Sequence, residues 1–244
     1  MIMKFAHFMS SAAIATVVSL TGLAAHAGPL TIQYFDTPTP GATGDFGTCC
    51  ASPPATLPVI TLGSALGPDS LPVTTLAASS GGVIDQNASG EILWWSTPTV
   101  TSTGSGLFTL GVTTNMYGPN NTGANDASVF ETAILSGNLY DNGSPATITV
   151  GSDDDAFVYV DGKYVGGNPG VHGVETTTIS LGSWSGAESL EIFYADRAQV
   201  GASLFVNVAG ATAAPEPATW AMLLVGFAGL GAAMRYRRRV PATA

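Results

Sequence analysis

The stretch from Gly151 to Val165, GSDDDAFVYVDGKYV, leaves the chain few ways to fold. On a strand, Phe157, Tyr159 and Lys163 face one way, and Ala156, Val158 and Val160 the other. Asp161-Gly162 follows at once. A type I′ turn needs positive φ at both central residues, and Asp-Gly tolerates that. The stretch therefore predicts an antiparallel β-hairpin. Three consecutive acids, Asp153, Asp154 and Asp155, stand where the loop enters it. Ionised together they repel one another, and a hard cation bound through oxygen would relieve the repulsion. A solvated acidic turn would relieve it too.

The rest of the chain fits an all-β reading. Short apolar runs alternate with Gly, Ser, Thr, Asn and Pro, and charge is sparse. Strands are expected at Leu30–Phe35, Val59–Leu62, Leu71–Leu76, Gly106–Thr113, Ala146–Val150, Thr176–Leu181, Leu190–Tyr194 and Leu204–Val208. Ser128–Leu135 has mixed periodicity and suits a strand or a short helix. Glu91–Ser96 reads as a strand whose adjacent indoles, Trp94 and Trp95, point to opposite faces. One then packs in the core. The other is a candidate for stacking on a sugar ring, unless a loop covers it.

Both ends carry address signals. Met1–Ala27 has a positive start at Lys4, an apolar run from Ala12 to Leu23, and Ala25-His26-Ala27 as a cleavage site, which is the pattern of a secretory signal peptide. At the other end, residues 211–217 form a tether that includes Pro215, Glu216 and Pro217. An apolar segment from Ala218 follows, and Arg235, Arg237, Arg238 and Arg239 close it. The segment is long enough to cross a bilayer as a helix, and the arginines would hold its end in the cytoplasm. This tripartite tail, residues 211–239, resembles the PEP-CTERM sorting signal of exopolysaccharide-producing Gram-negative bacteria. The resemblance implies an exosortase of the inner membrane as processing partner, acting at Pro215, Glu216 and Pro217. It also implies transient membrane anchoring, with the cell surface or extracellular matrix as destination.

Between these ends the charge is lopsided. Residues 28–214 keep two cations, Lys163 and Arg197, against sixteen acids, a formal charge of −14. Nucleic acid is excluded as a partner on this balance, because phosphate binding needs clustered cations. Divalent cations and neutral sugars fit better. The only cysteines, Cys49 and Cys50, are adjacent and promise no ordinary structural disulfide. Catalysis finds little support. His172 is the one histidine of residues 28–214, and Gly182-Ser-Trp-Ser-Gly186 has Trp184 where a nucleophile elbow needs serine. No carboxylate pair is marked out for glycoside hydrolysis.

Four pieces in order carry a second resemblance: Asp153-Asp154, the strand Phe157–Val160, the turn Asp161-Gly162-Lys163, and Gly170-Val171-His172. A later element, Ile192–Arg197 followed by Ser203–Val206, belongs with them. Over roughly residues 105 to 210 the chain resembles the PA14 β-sandwich family, in its fibro-slime-like branch. The resemblance implies a PA14-like antiparallel β-sandwich over residues 28–210, flanked by the signal peptide (1–27) and a single hydrophobic helix (218–239). It further implies that Asp153 and Asp154 hold Ca2+, which chelates the hydroxyls of a glycan. The family's second ligand loop does not carry over. Asp155 and a carbonyl of Asn168 are additional ligand-site candidates, and Asp196-Arg197 reads as a structural ion pair. The expected function is non-catalytic: an exported surface or matrix protein that works with exopolysaccharide in a biofilm, with calcium-dependent carbohydrate binding. The alternatives are a purely structural matrix protein and a secreted carbohydrate-active enzyme.

Overall fold

A computed structural model describes residues 29–37, 45–47, 60–75, 84–96, 101–116, 130–141, 144–198 and 201–212. The signal peptide, Cys49, Cys50, the Pro215–Pro217 motif and the apolar tail lie outside the described residues. Among the described residues no helix is long and apolar enough to cross a membrane.

Among the described residues, thirteen strands form two antiparallel sheets. In chain order they are β1 (Leu30–Thr37), β2 (Leu62–Leu66), β3 (Pro72–Thr74), β4 (Thr101–Phe108), β5 (Thr114–Asn115), β6 (Phe130–Asp141) and β7 (Ala146–Ser152). Then come β8 (Asp155–Val160), β9 (Lys163–Asn168), β10 (Glu175–Gly182), β11 (Ala187–Ala195), β12 (Ser203–Ala209) and β13 (Ala211–Thr212). The large sheet runs β3-β2-β9-β8-β11-β6-β1-β4, with β13 beside β6; the small one runs β10-β7-β12-β5.

The predicted hairpin is β8–β9. Asp161 and Gly162 have φ of 47° and 69°, the left-handed pair that a type I′ turn demands. Both faces of β8 are buried. Ala156, Val158 and Val160 join the core between the sheets, with Ile148 and Val150 from β7, Ile192 from β11 and Val206 from β12. Phe157 and Tyr159 face the other way into a second apolar cluster, with Phe35, Phe46, Trp94, Trp95, Phe130 and Phe193. Phe46, Ile60, Leu71, Ile84, Ile92, Trp94 and Trp95 thus cover the outer face of the large sheet.

Here the structure departs from the sequence reading. Leu93–Trp95 is a 3-10 turn, not part of a strand, and Trp94 and Trp95 are only 1% and 3% exposed. A strand would have split the two indoles between faces. The tight turn instead sends both into the outer cluster, with ring centroids 5.5 Å apart. Neither is available to stack on a sugar. Each N–H is satisfied internally: Trp94 donates to Asp45 Oδ2 (2.8 Å) and Trp95 to the Tyr194 carbonyl (2.8 Å). Other boundaries also shift. The strand expected at Gly106–Thr113 ends at Phe108, β2 begins at Leu62, and Ser128–Leu135 resolves into the long strand β6. Ala211 and Thr212, expected in the tether, pair with Asp141 and Tyr140 of β6.

Candidate functional site

The triple acid sits between β7 and β8, at one end of the sandwich. Its members go three different ways. Asp154 is 1% exposed and has φ 60°, a left-handed conformation that Asp adopts more readily than most residues. That twist turns its carboxylate inward. Oδ1 accepts the His172 N–H at 2.9 Å, and Oδ2 accepts the N–H groups of Arg197 and Ala198, both at 2.7 Å. The Asp154 N–H donates in turn to the His172 carbonyl at 3.0 Å. One side chain therefore ties three loops together: β7–β8, β9–β10 and β11–β12.

Asp155 faces the outer cluster. Its Oδ2 accepts from Arg197 Nε at 2.6 Å, and both side chains are fully buried. Its Oδ1 accepts the Gly170 N–H. Burial pushes the Asp155 carboxyl up, while the Arg197 charge and the Gly170 N–H pull it back. Arg197 also lies over the Trp94 ring, 5.0 Å from its centroid, and its carbonyl accepts the Gly47 N–H at 2.9 Å. The sequence reading joined Arg197 to its neighbour Asp196. The structure gives Arg197 to Asp155 instead, because successive residues of an extended chain point to opposite faces. Asp45 completes this buried polar group; its Oδ2 accepts the Asp85 N–H as well as the Trp94 indole. Burial raises the Asp45 carboxyl, and those two donors lower it in part.

Asp153 is the half-buried member of the three. Its N–H donates to the Ser203 carbonyl at 3.0 Å. Its carboxylate lies against Gly201, where φ is +99° and an added Cβ would come within 2.5 Å of Oδ2. Asn168 is 4% exposed and acts as a brace. Its amide donates to the Glu175 carbonyl (2.9 Å), Ser152 Oγ (3.2 Å) and the Val150 carbonyl (3.4 Å), joining β9 to the small sheet. His172 is half-exposed beside Asp154, its Nδ1 2.8 Å from the Gly173 carbonyl. Val171 and Val174, 42% and 63% exposed, flank it.

Calcium requires six to eight oxygens around one point. Asp154 Oδ2 already receives two N–H groups, Oδ1 receives one, and Asp155 is held by Arg197. Among the described residues no group of three His, Cys, Asp or Glu side chains is placed to hold a metal. The triple acid as described is a clamp with one carboxylate toward the rim, and its side chains alone do not complete a calcium shell. The part of this site that sequence reasoning missed is Arg197 as its hub. The available signal was that Arg197 is one of only two cations in residues 28–214.

Residues 213–239 match the PEP-CTERM protein-sorting motif. Among curated proteins, none is similar to this chain in sequence. Among solved structures, the chain is similar to a PA14 sugar-binding domain from an RTX adhesin, at 17% identity and a TM-score of 0.36, over 75% of this chain and 90% of that one. It is similar to the PA14 domain of the MpAFP antifreeze protein, at 16% identity and a TM-score of 0.34, over 79% and 89%. It is also similar to the Epithelial Adhesin 6 A domain from Candida glabrata, solved in complex with Galb1-3GlcNAc, at 10% identity and a TM-score of 0.41, over 80% and 84%.

Proposed function

We propose that this chain is an exported, non-catalytic surface or matrix protein of a Gram-negative bacterium that binds glycan at the loop end of its sandwich. The observation that carries the reading is the convergence there of Asp153, Asp154, the Gly170–His172 loop, Arg197, Ala198 and Gly201. Asp154 pins these loops through three backbone hydrogen bonds. A rigid rim with a carboxylate, an imidazole and exposed valines supplies both hydrogen-bonding groups and apolar edges, the mixture a pyranose presents. The sorting motif at residues 213–239 supports delivery outside the cytoplasm with exosortase processing, and the sequence resemblance implies exopolysaccharide as the ligand there. Ordered groups at a rim with no nucleophile–base pair favour gripping over reaction.

The test is a glycan array with the full-length chain, with and without chelator, against Asp153→Ala. Binding lost in Asp153→Ala, with the melting temperature held, supports the reading. Binding that chelator abolishes, together with a rise in melting temperature in millimolar calcium, adds the cation that the sequence resemblance implies. A blank array in both conditions overturns glycan binding. The second reading is then a purely structural matrix component, favoured by the inward use of Asp154 and Asp155.

A further inference from the structure

A groove of about 480 Å³ lies on the outer face of the large sheet, away from the loop end. Two neighbouring rungs of the sheet form its floor. Gln33, Ile134 and Phe193 stand side by side on β1, β6 and β11, and Ser136 and Glu191 are paired on the next rung. The turn between β2 and β3 walls it with Asp69 and Ser70. Trp95 and Phe35 close its base from the outer cluster. Its volume is that of a small-molecule site, and its lining mixes aromatic edges with amide, hydroxyl and carboxylate groups.

Glu191 is the informative residue. It is half-buried in the groove and makes no hydrogen bond or ion pair among the described residues. Burial raises its carboxyl with no cation to offset it. Among the described residues no Lys or Arg lines the groove, and Asp69 adds a second carboxylate. Any positive charge here must come with the ligand, and a charge-assisted hydrogen bond to a partly desolvated carboxylate is among the stronger polar contacts. We infer that this groove is a second saccharide site, and that it takes a sugar with a free amino group, a glucosamine-type unit. The ammonium sits between Glu191 and Asp69, the ring hydroxyls meet Ser136, Ser70 and Gln33, and an apolar face of the ring rests along Ile134 and Phe193.

The inference stands apart from the loop-end site, so Asp153→Ala leaves it intact. The experiment is calorimetric titration of the full-length chain, at low ionic strength, with a β-1,4-linked glucosamine pentasaccharide, its N-acetylated form and cellopentaose. The expected result is binding of the glucosamine oligomer at least about tenfold tighter than either neutral one, and loss of that preference in the near-isosteric Glu191→Gln. Glu175→Gln removes the same charge from an exposed position elsewhere and is expected to change nothing. Ile134→Trp, which fills the groove, abolishes binding of the glucosamine oligomer. Equal affinity for all three oligomers overturns the proposal. An effect of Glu175→Gln as large as that of Glu191→Gln also overturns it, since binding would then follow bulk charge.

Discussion

The three adjacent aspartates do three different jobs. Asp154 organises loops, Asp155 neutralises a buried arginine, and Asp153 lies half-buried against Gly201. Their substitution should separate them. Asp154→Ala leaves the N–H groups of His172, Arg197 and Ala198 without their acceptor. A buried donor left unsatisfied costs about 1–3 kcal/mol. The variant should therefore lose about 3 kcal/mol or more, read as a fall in the urea midpoint. Asp153→Ala, at a half-buried position, should cost under about 1 kcal/mol. Equal costs for the two would contradict the clamp. The sequence shows that three acids stand together but cannot show this division of labour. The division depends on the left-handed φ at Asp154 and on partners forty-odd residues away, at Arg197 and Ala198.

At the scale of elements, the hairpin was the easiest part to read. Alternation along Ala156–Val160 and the Asp-Gly turn are local signals, and β8, the turn and β9 fall where they point. The tryptophan pair was misread for the opposite reason. Ile92-Leu93-Trp94-Trp95 has strand composition, and only the need to cover the outer face of the large sheet bends it into a 3-10 turn. The groove was invisible for the same kind of reason, because its residues come from β1, β6, β11 and the β2–β3 turn. Since both indoles are core, Trp95→Ala should destabilise by about 3–5 kcal/mol, as aromatic truncations in cores do. Binding of neutral glycan at the loop end, which Trp95 does not line, should be unchanged in the protein that remains folded. Denaturation curves alongside array binding check this, and selective loss of sugar binding with stability intact would reinstate the stacking role.

For the molecule as a whole, acidity acts on stability as well as on partners. Asp36, Asp45 and Glu191 have carboxyls raised chiefly by burial. Asp36 also sits opposite Glu131 on β6, whose side chain pulls the Asp36 carboxyl back in part. Each raised group binds its proton more tightly folded than unfolded. Its contribution is full below the unfolded value, near about 4, and is lost as pH rises through the raised folded value. Repulsion within a chain segment of formal charge −14 acts in the same direction. The urea midpoint should therefore fall as pH rises above about 4, and Asp36→Asn should flatten the slope. A midpoint that rises over this range would refute the account. The pairing of β13 with the far end of β6 has a further consequence. Asp154 and Asp196 lie level with Glu131 near the start of β6, whereas Ala211 and Thr212 leave beside Asp141 and Tyr140. Ten steps along β6, from Glu131 to Asp141 at about 3.3 Å each, set these poles about 33 Å apart. The aspartate loops and the last described residues therefore stand at opposite ends of one long strand.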